Sequence, residues 1–205
     1  MLSKGGVTLK KLHVLILGVS FLGLLAGCSS NNQDAASSSS SSEITSSKTN
    51  QKNVLDDKVK VSANQVIEIY QKAYPDTDIT SIELDSTFGK YYYEVEGVDD
   101  NNEYSLRVDA SSKAVSQKKQ EQLDNDEKNG TKRNEDKLNL DKLISVKEAA
   151  DIAEKAAGSG NASEWTLDKD MDTTYWEVQV KNGSKQVEVK VNAQTGKVLE
   201  KETDD

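Results

Sequence analysis

Asn182-Gly183 divides two runs of alternating apolar and polar residues. Tyr175-Trp176-Glu177-Val178-Gln179-Val180 precedes the pair, and Gln186-Val187-Glu188-Val189-Lys190-Val191 follows it. A period of two marks a strand with one buried face. Asn-Gly is the pair best suited to the positive backbone angles of a two-residue type I′ turn. The pattern therefore predicts a hairpin in which Lys181 faces Ser184. Val178 then lies opposite Val187 and Trp176 opposite Val189 on one face, with Tyr175, Glu177, Gln179, Glu188 and Lys190 on the other.

The hairpin belongs to a longer unit that occurs twice. Adding 83 to any residue number in Val61–Val115 gives its counterpart in Ile144–Val198 without a gap. Ser62 maps to Ser145, Lys72 to Lys155, Leu84-Asp85 to Leu167-Asp168, and Tyr92 to Tyr175. Glu94-Val95 maps to Glu177-Val178 and Ala110 to Ala193. The same register pairs Val95 with Tyr104, Tyr93 with Leu106 and Tyr91 with Val108. Asp99-Asp100 replaces Asn182-Gly183, a weaker turn signal that allows a longer loop.

Each copy opens on a helix. Ser62 with Gln65, and Ser145 with Glu148, have the capping-box spacing that satisfies free amides at a helix start. Val66, Ile69, Tyr70 and Ala73 form an apolar stripe, as do Ala149, Ile152, Ala153 and Ala156. Pro75 ends one helix, Gly158 and Gly160 the other. A first strand follows (Ile82 and Leu84; Trp165 and Leu167), then the hairpin, then a short last strand around Val115 or Val198. The expected fold is α+β: two small repeats, each one helix packed on an antiparallel sheet of three to four strands, preceded by a disordered tether.

The chain divides into residues 1–27, 28–60, 61–120, 121–143 and 144–205. In 1–27, Lys4, Lys10, Lys11 and His13 precede an apolar run from Val14 to Leu25. A basic start, a short apolar run and small residues before a cut site make a signal peptide. Leu25-Ala26-Gly27-Cys28 matches the bacterial lipobox, so the segment resembles a lipoprotein signal. That resemblance implies cleavage between Gly27 and Cys28 and lipidation of the Cys28 thiol. Two acyl chains suffice for stable anchoring. The expected location is the extracytoplasmic face of the cell membrane, with a Ser-rich tether suggesting a Gram-positive surface. Residues 28–60, with unbroken serine from Ser37 to Ser42, cannot bury enough apolar surface to offset their ordering entropy. Residues 121–143 are strongly charged and read as a linker.

The net charge of -9 over 205 residues opposes nucleic acid and anionic lipid heads and favours basic partners. The single histidine, His13, leaves with the signal, and the single cysteine is the lipidation site. Nothing then remains for Ser-His-Asp or Cys-His catalysis, the usual zinc sites or a disulfide. Asp168–Asp172 begins like a calcium loop, but Thr173 stands where a glycine is needed and Gln179 where the closing Glu belongs. It reads as a charged turn. The expectation is a non-catalytic protein without metal or cofactor.

On the polar face, the inferred register sets Tyr92 against Arg107 and Tyr175 against Lys190, a cation–aromatic pair that recurs. Glu177 would face Glu188. With Glu94 these residues form a candidate partner-binding face for a basic segment; the alternative is a solvated sheet face neutralised by Lys190 and Lys181.

A helix opening Ser-x-x-Glu/Gln, then Tyr175-Trp176-Glu177-Val178, then Val189-Lys190-Val191-Asn192-Ala193-Gln194-Thr195-Gly196-Lys197-Val198-Leu199, resembles the PepSY domain. The first copy shares Tyr92-Tyr93-Glu94-Val95 and Val108-Asp109-Ala110 but departs at Ser111–Lys113. The resemblance implies a secreted or membrane-anchored non-catalytic module of the kind found in metalloprotease propeptides and envelope proteins. It points to a secreted or membrane protease, or another envelope protein, as partner. A scaffolding lipoprotein and a solute-binding lipoprotein are the alternatives.

Overall fold

The computed structural model describes residues 55 and 57–204. The lipobox, Leu25 to Cys28, and almost all of the segment read as a tether lie outside the described residues. The elements in chain order are α1 (Ala63–Ala73), β1 (Asp78–Thr87), β2 (Lys90–Val98), β3 (Asn102–Asp109) and β4 (Val115–Gln122). They continue with α2 (Thr131–Asp136), α3 (Val146–Ala157), β5 (Asn161–Asp170), β6 (Thr173–Asn182), β7 (Lys185–Asn192) and β8 (Val198–Asp204). Each repeat is a helix on four antiparallel strands, as the period-two and period-3.6 patterns predict.

Both capping boxes form. Ser62 Oγ accepts the Gln65 amide at 3.3 Å and Gln65 Oε1 accepts the Ser62 amide at 3.1 Å. In α3 the matching distances are 3.1 and 2.8 Å, between Ser145 and Glu148. A box of this kind closes two free amides at once. Ser145→Ala is expected to lower stability by about 1 kcal/mol, read as a lower urea midpoint; an unchanged midpoint would show that packing alone fixes the start of α3. The buried stripes are Ala63, Val66, Ile67 and Tyr70, and Val146, Ala149, Ala150 and Ala153. Ile67 and Ala150 thus face inward, whereas Ile69 and Ile152 sit partly buried at the flank. Gly97 is where Tyr70 crosses β2: a Cβ there would lie 2.5 Å from the Tyr70 hydroxyl.

The hairpin registers differ from expectation by two residues. Trp176 pairs with Val191, Val178 with Val189 and Glu177 with Lys190, and the turn is Gly183-Ser184. Gly183 takes φ +63° whereas Asn182 stays outside the left-handed region. Only the first central residue needs that conformation in a type II′ turn. The Asn182 side chain instead donates to Ser159 Oγ at 2.9 Å, tying β6 to the loop after α3. In the first repeat Val95 pairs with Leu106 and Tyr93 with Val108. That loop is no longer than its twin. Asp99 Oδ1 accepts the amides of Asn101 and Asn102, both at 2.7 Å, and closes a two-residue turn. A shift of two leaves every side chain on its face. The expected core is therefore retained: Trp176, Val178, Val189 and Val191 are all inaccessible.

The two repeats share one sheet, ordered β4-β3-β2-β1-β5-β6-β7-β8 among the described residues. At the junction Ile82 pairs with Leu167, Glu83 with Thr166 and Leu84 with Trp165. Glu83 and Thr166 are counterparts in the repeat, and the flanking pairs exchange roles. The copies are thus related by a two-fold axis through this pair. A two-fold normal to the sheet puts both helices on one side. Ile82, Leu84, Trp165 and Leu167 then carry a single core across the junction.

The connection between the repeats is folded onto the first of them. Arg133 in α2 reaches Asp78 at 2.6 Å and Asp100 at 3.3 Å. Lys137 reaches Asp78 at 2.8 Å. Leu123 and Leu138 are buried.

Candidate partner-binding face

The helices cover the face that carries Ile82, Tyr93, Leu106, Trp165, Trp176 and Val189. Alternation sends their neighbours to the opposite face, which neither α1 nor α3 covers. Glu83 stands at the centre of that open face, on the two-fold. Glu94 lies beside it across β2, and Thr166 across β5. Burial pushes the Glu83 carboxyl up to about 7, and the charges of Glu164, Asp85, Glu94 and Glu96 add to the shift. Glu164 and Glu177 are displaced upward as well, again first by burial. The nearby Lys181 and Lys190 oppose the shift at Glu164 and Glu177 respectively.

The cations sit toward the two ends of this face. Arg107 lies over the Tyr92 ring, 4.2 Å from its centroid, and 3.6 Å from Asp85. Its Nη2 donates to Thr87 Oγ1 at 3.0 Å, and Glu94 is its cross-strand neighbour. Lys190 lies 5.6 Å from the centre of the Tyr175 ring, 4.0 Å from Glu177 and 2.7 Å from Glu200. Both cation–aromatic pairs are therefore made, though along the diagonal. Tyr92 stands directly opposite Asp109, and Tyr175 opposite Asn192. Burial pushes the Tyr175 hydroxyl up to about 12, helped by Asp168 and Glu177.

The expected Glu177–Glu188 opposition is overturned by the same two-residue register. Glu177 faces Lys190, and Glu188 faces Gln179 on one side and Glu202 on the other. Gln186 Nε2 donates to Glu188 at 3.2 Å. Like charges of the face meet at Glu188 with Glu202, and at its centre at Glu83 with Glu94 and Glu164. Sequence reasoning named Glu94 but missed Glu83 and Glu164. Their signal was the alternation Ile82-Glu83-Leu84-Asp85, but their neighbours across the junction depend on β1 pairing with β5.

Asp168–Asp172 leads through the β5–β6 turn, with Met171 at φ +54°. Among the described residues no group of three His, Cys, Asp or Glu side chains is placed to hold a metal ion. No described helix is long and apolar enough to cross a membrane. Tyrosine, carboxylate, arginine and lysine on one sheet face offer electrostatic and stacking contacts to another chain.

Residues 60–116 and 143–202 match the model of the PepSY family, described as peptidase propeptide and YPEB domain. The uncharacterized protein YkoJ of Bacillus subtilis (strain 168) is 29% identical over 191 residues, which cover 90% of this chain and 96% of that protein. The crystal structure of the "putative lipoprotein" CD1622 from Clostridium difficile 630 superposes with a TM-score of 0.68 at 37% identity. It covers 71% of this chain and 95% of that one.

Proposed function

The chain belongs to the PepSY family, and we propose that it is a lipid-anchored extracytoplasmic binding protein. Its open sheet face receives a basic, extended segment of a secreted or membrane peptidase and modulates that enzyme. The observation that carries the reading is the crowding of Glu83, Glu94 and Glu164 at the centre of an uncovered face. Carboxylates desolvated and repelling one another gain most when a cation arrives between them. The motif Leu25–Cys28 and the likeness to CD1622 support the anchored, extracytoplasmic setting. The family's description supports a peptidase as partner. No residue is assigned a catalytic role.

Crosslinking capture from intact cells tests the proposal, followed by inhibition assays on the captured enzyme. A dominant peptidase is expected, with capture reduced at least tenfold by Glu83→Gln combined with Glu164→Gln and Glu177→Gln. At this affinity scale tenfold is about 1.4 kcal/mol, a modest demand on three charges. Undiminished capture by the triple variant, with its stability unchanged or raised, would remove the acidic face from the proposal. Recovery of abundant neighbours alone would leave a scaffold instead of a modulator.

A further inference from the structure

The turns of an antiparallel sheet alternate between its two ends, and here the ends differ in charge. The strand order puts the β1–β2, β3–β4 and β6–β7 turns at one end and the β2–β3, β5–β6 and β7–β8 turns at the other. Lys90, Lys113 and Lys185, all exposed, lie in or beside the turns of the first end. The upstream chain joins the fold there too. Lys58 Nζ donates to the Gly89 carbonyl at 3.1 Å, and the Lys60 amide to the Ala110 carbonyl at 2.8 Å. At the opposite end Asp99 and Asp100 belong to one turn, and Asp170 and Asp172 flank Met171 in another. Asp57, Asp109 and Lys197 run against this division without reversing it.

The two hairpin tips beside the junction sharpen the contrast. Phe88 and Met171 are counterparts in the repeat, at φ +51° and +54°, and their exposures are 102% and 86%. With Gly89 at φ +74°, Phe88-Gly89 has the two positive angles of a type I′ turn, a setting that favours Asn or Asp before the glycine. A bulky residue in the left-handed region is an outlier. With the whole Phe88 side chain in solvent, no contact among the described residues offsets that placement. Lys58, Gly89 and Lys90 surround this tip, and the repeat sets Asp141, Asp172 and Thr173 at the matching positions around Met171. Thr87 likewise becomes Asp170. Lys169, the cation next to the second tip, is engaged by the Glu135 carbonyl at 2.8 Å. One tip is aromatic among lysines; its twin is a thioether among aspartates.

We propose that the Phe88 end of the sheet docks on an anionic phospholipid surface. The Phe88 ring sits at the boundary of headgroups and acyl chains, with Lys58, Lys90 and Lys113 against the headgroup phosphates. The inference rests on the anchored reading above. The described chain begins at Leu55, close before Lys58, so the end reached first from Cys28 is the basic, aromatic one. The net charge of the whole chain opposes anionic lipid, but charges more than about 10 Å from the surface are largely screened. The lysines of this end lie within that distance when the tip is seated. Docked in this way the sheet stands on end, and the face that carries Glu83 and Glu164 stays open to a partner.

The test uses the mature lipidated chain in vesicles of phosphatidylglycerol and brominated phosphatidylcholine. Trp165 and Trp176 are buried and supply a constant background. Phe88→Trp is expected to add a blue-shifted emission that the brominated lipid quenches about threefold more than the emission added by Met171→Trp. Adding Lys58→Glu, Lys90→Glu and Lys113→Glu to Phe88→Trp should cut that quenching by about half. Equal quenching at positions 88 and 171, or none at either, in a chain that floats with the vesicles would overturn the docking and leave the anchor standing. A chain that does not float would remove the anchored reading and this proposal with it.

Discussion

Leu106→Ala is expected to lower stability by about 2–5 kcal/mol and to make the tryptophans of the other repeat unfold earlier. Leu106 lies in β3, inaccessible to solvent and two strands from the junction. Both tryptophans of the chain, Trp165 and Trp176, belong to the second repeat. Domains of about 60 residues bury too small a share of their surface for comfortable independent stability. Here the halves do not face that limit separately. Ile82 and Leu84 of one repeat share a core with Trp165 and Leu167 of the other, and β1–β5 hydrogen bonds bridge them. A cavity in β3 should therefore be felt across the whole sheet. With a urea dependence of about 2 kcal/mol per molar, the tryptophan fluorescence midpoint should fall by about 1–2.5 M, together with the circular dichroism midpoint. If fluorescence held its wild-type midpoint while part of the dichroism was lost earlier, the repeats would be independent folding units.

What the sequence made legible follows from local rules. Capping boxes, a period of 3.6 followed by a period of two, and Gly158 as a helix stop each depend on residues within one turn or one strand. They specify one helix on four strands, twice, and place Arg107 and Lys190 on the same face as Tyr92 and Tyr175. The hairpin register escaped by two residues because Asn182 looks like a turn residue yet spends its amide on Ser159, a contact 23 positions away. The shared sheet escaped for a deeper reason. Ile82-Glu83-Leu84 and Trp165-Thr166-Leu167 read as edge or central strands equally well, and alternation does not say which edges meet. Only the junction makes Glu83 the centre of the open face. The charged connection hid its anchor in a similar way: Leu138 is one leucine among lysines and aspartates, and its role shows only against Ile79 and α1.

Glu83→Gln is expected to stabilise the protein at pH 8 and to leave it unchanged at about pH 4. In the fold the Glu83 carboxyl is pushed up to about 7 from an ordinary value of 4.5. A raised acid binds its proton more tightly when folded, so its contribution is fully present below 4.5 and is lost as pH rises through 7. A pKa unit corresponds to about 1.4 kcal/mol. Because the side chain is only half-buried and solvent screens its neighbours, we expect about 1 kcal/mol in practice. Glu164 and Glu177 shift the same way and add to the slope. Other carboxylates act in the opposite sense at lower pH. Asp109 is held down at about 2 from 3.8 by the hydroxyl and amide donors of Ser111 and Ser112. Burial opposes the lowering of Asp78, but Lys137 and Arg133 still hold it below its ordinary value. Their stabilisation is present above 3.8 and fades as pH falls. The wild-type chain should thus be most stable between about pH 4 and 5, and Glu83→Gln should flatten the decline toward neutrality. Urea midpoints at pH 4, 6 and 8 decide it; equal slopes for both proteins would mean that Glu83 ionises as freely in the fold as in water. At neutral pH the open face is then held in a state that costs stability, and a cation docked between Glu83 and Glu164 would remove that cost. The destabilised centre of the face and its proposed affinity for a basic segment have one physical origin.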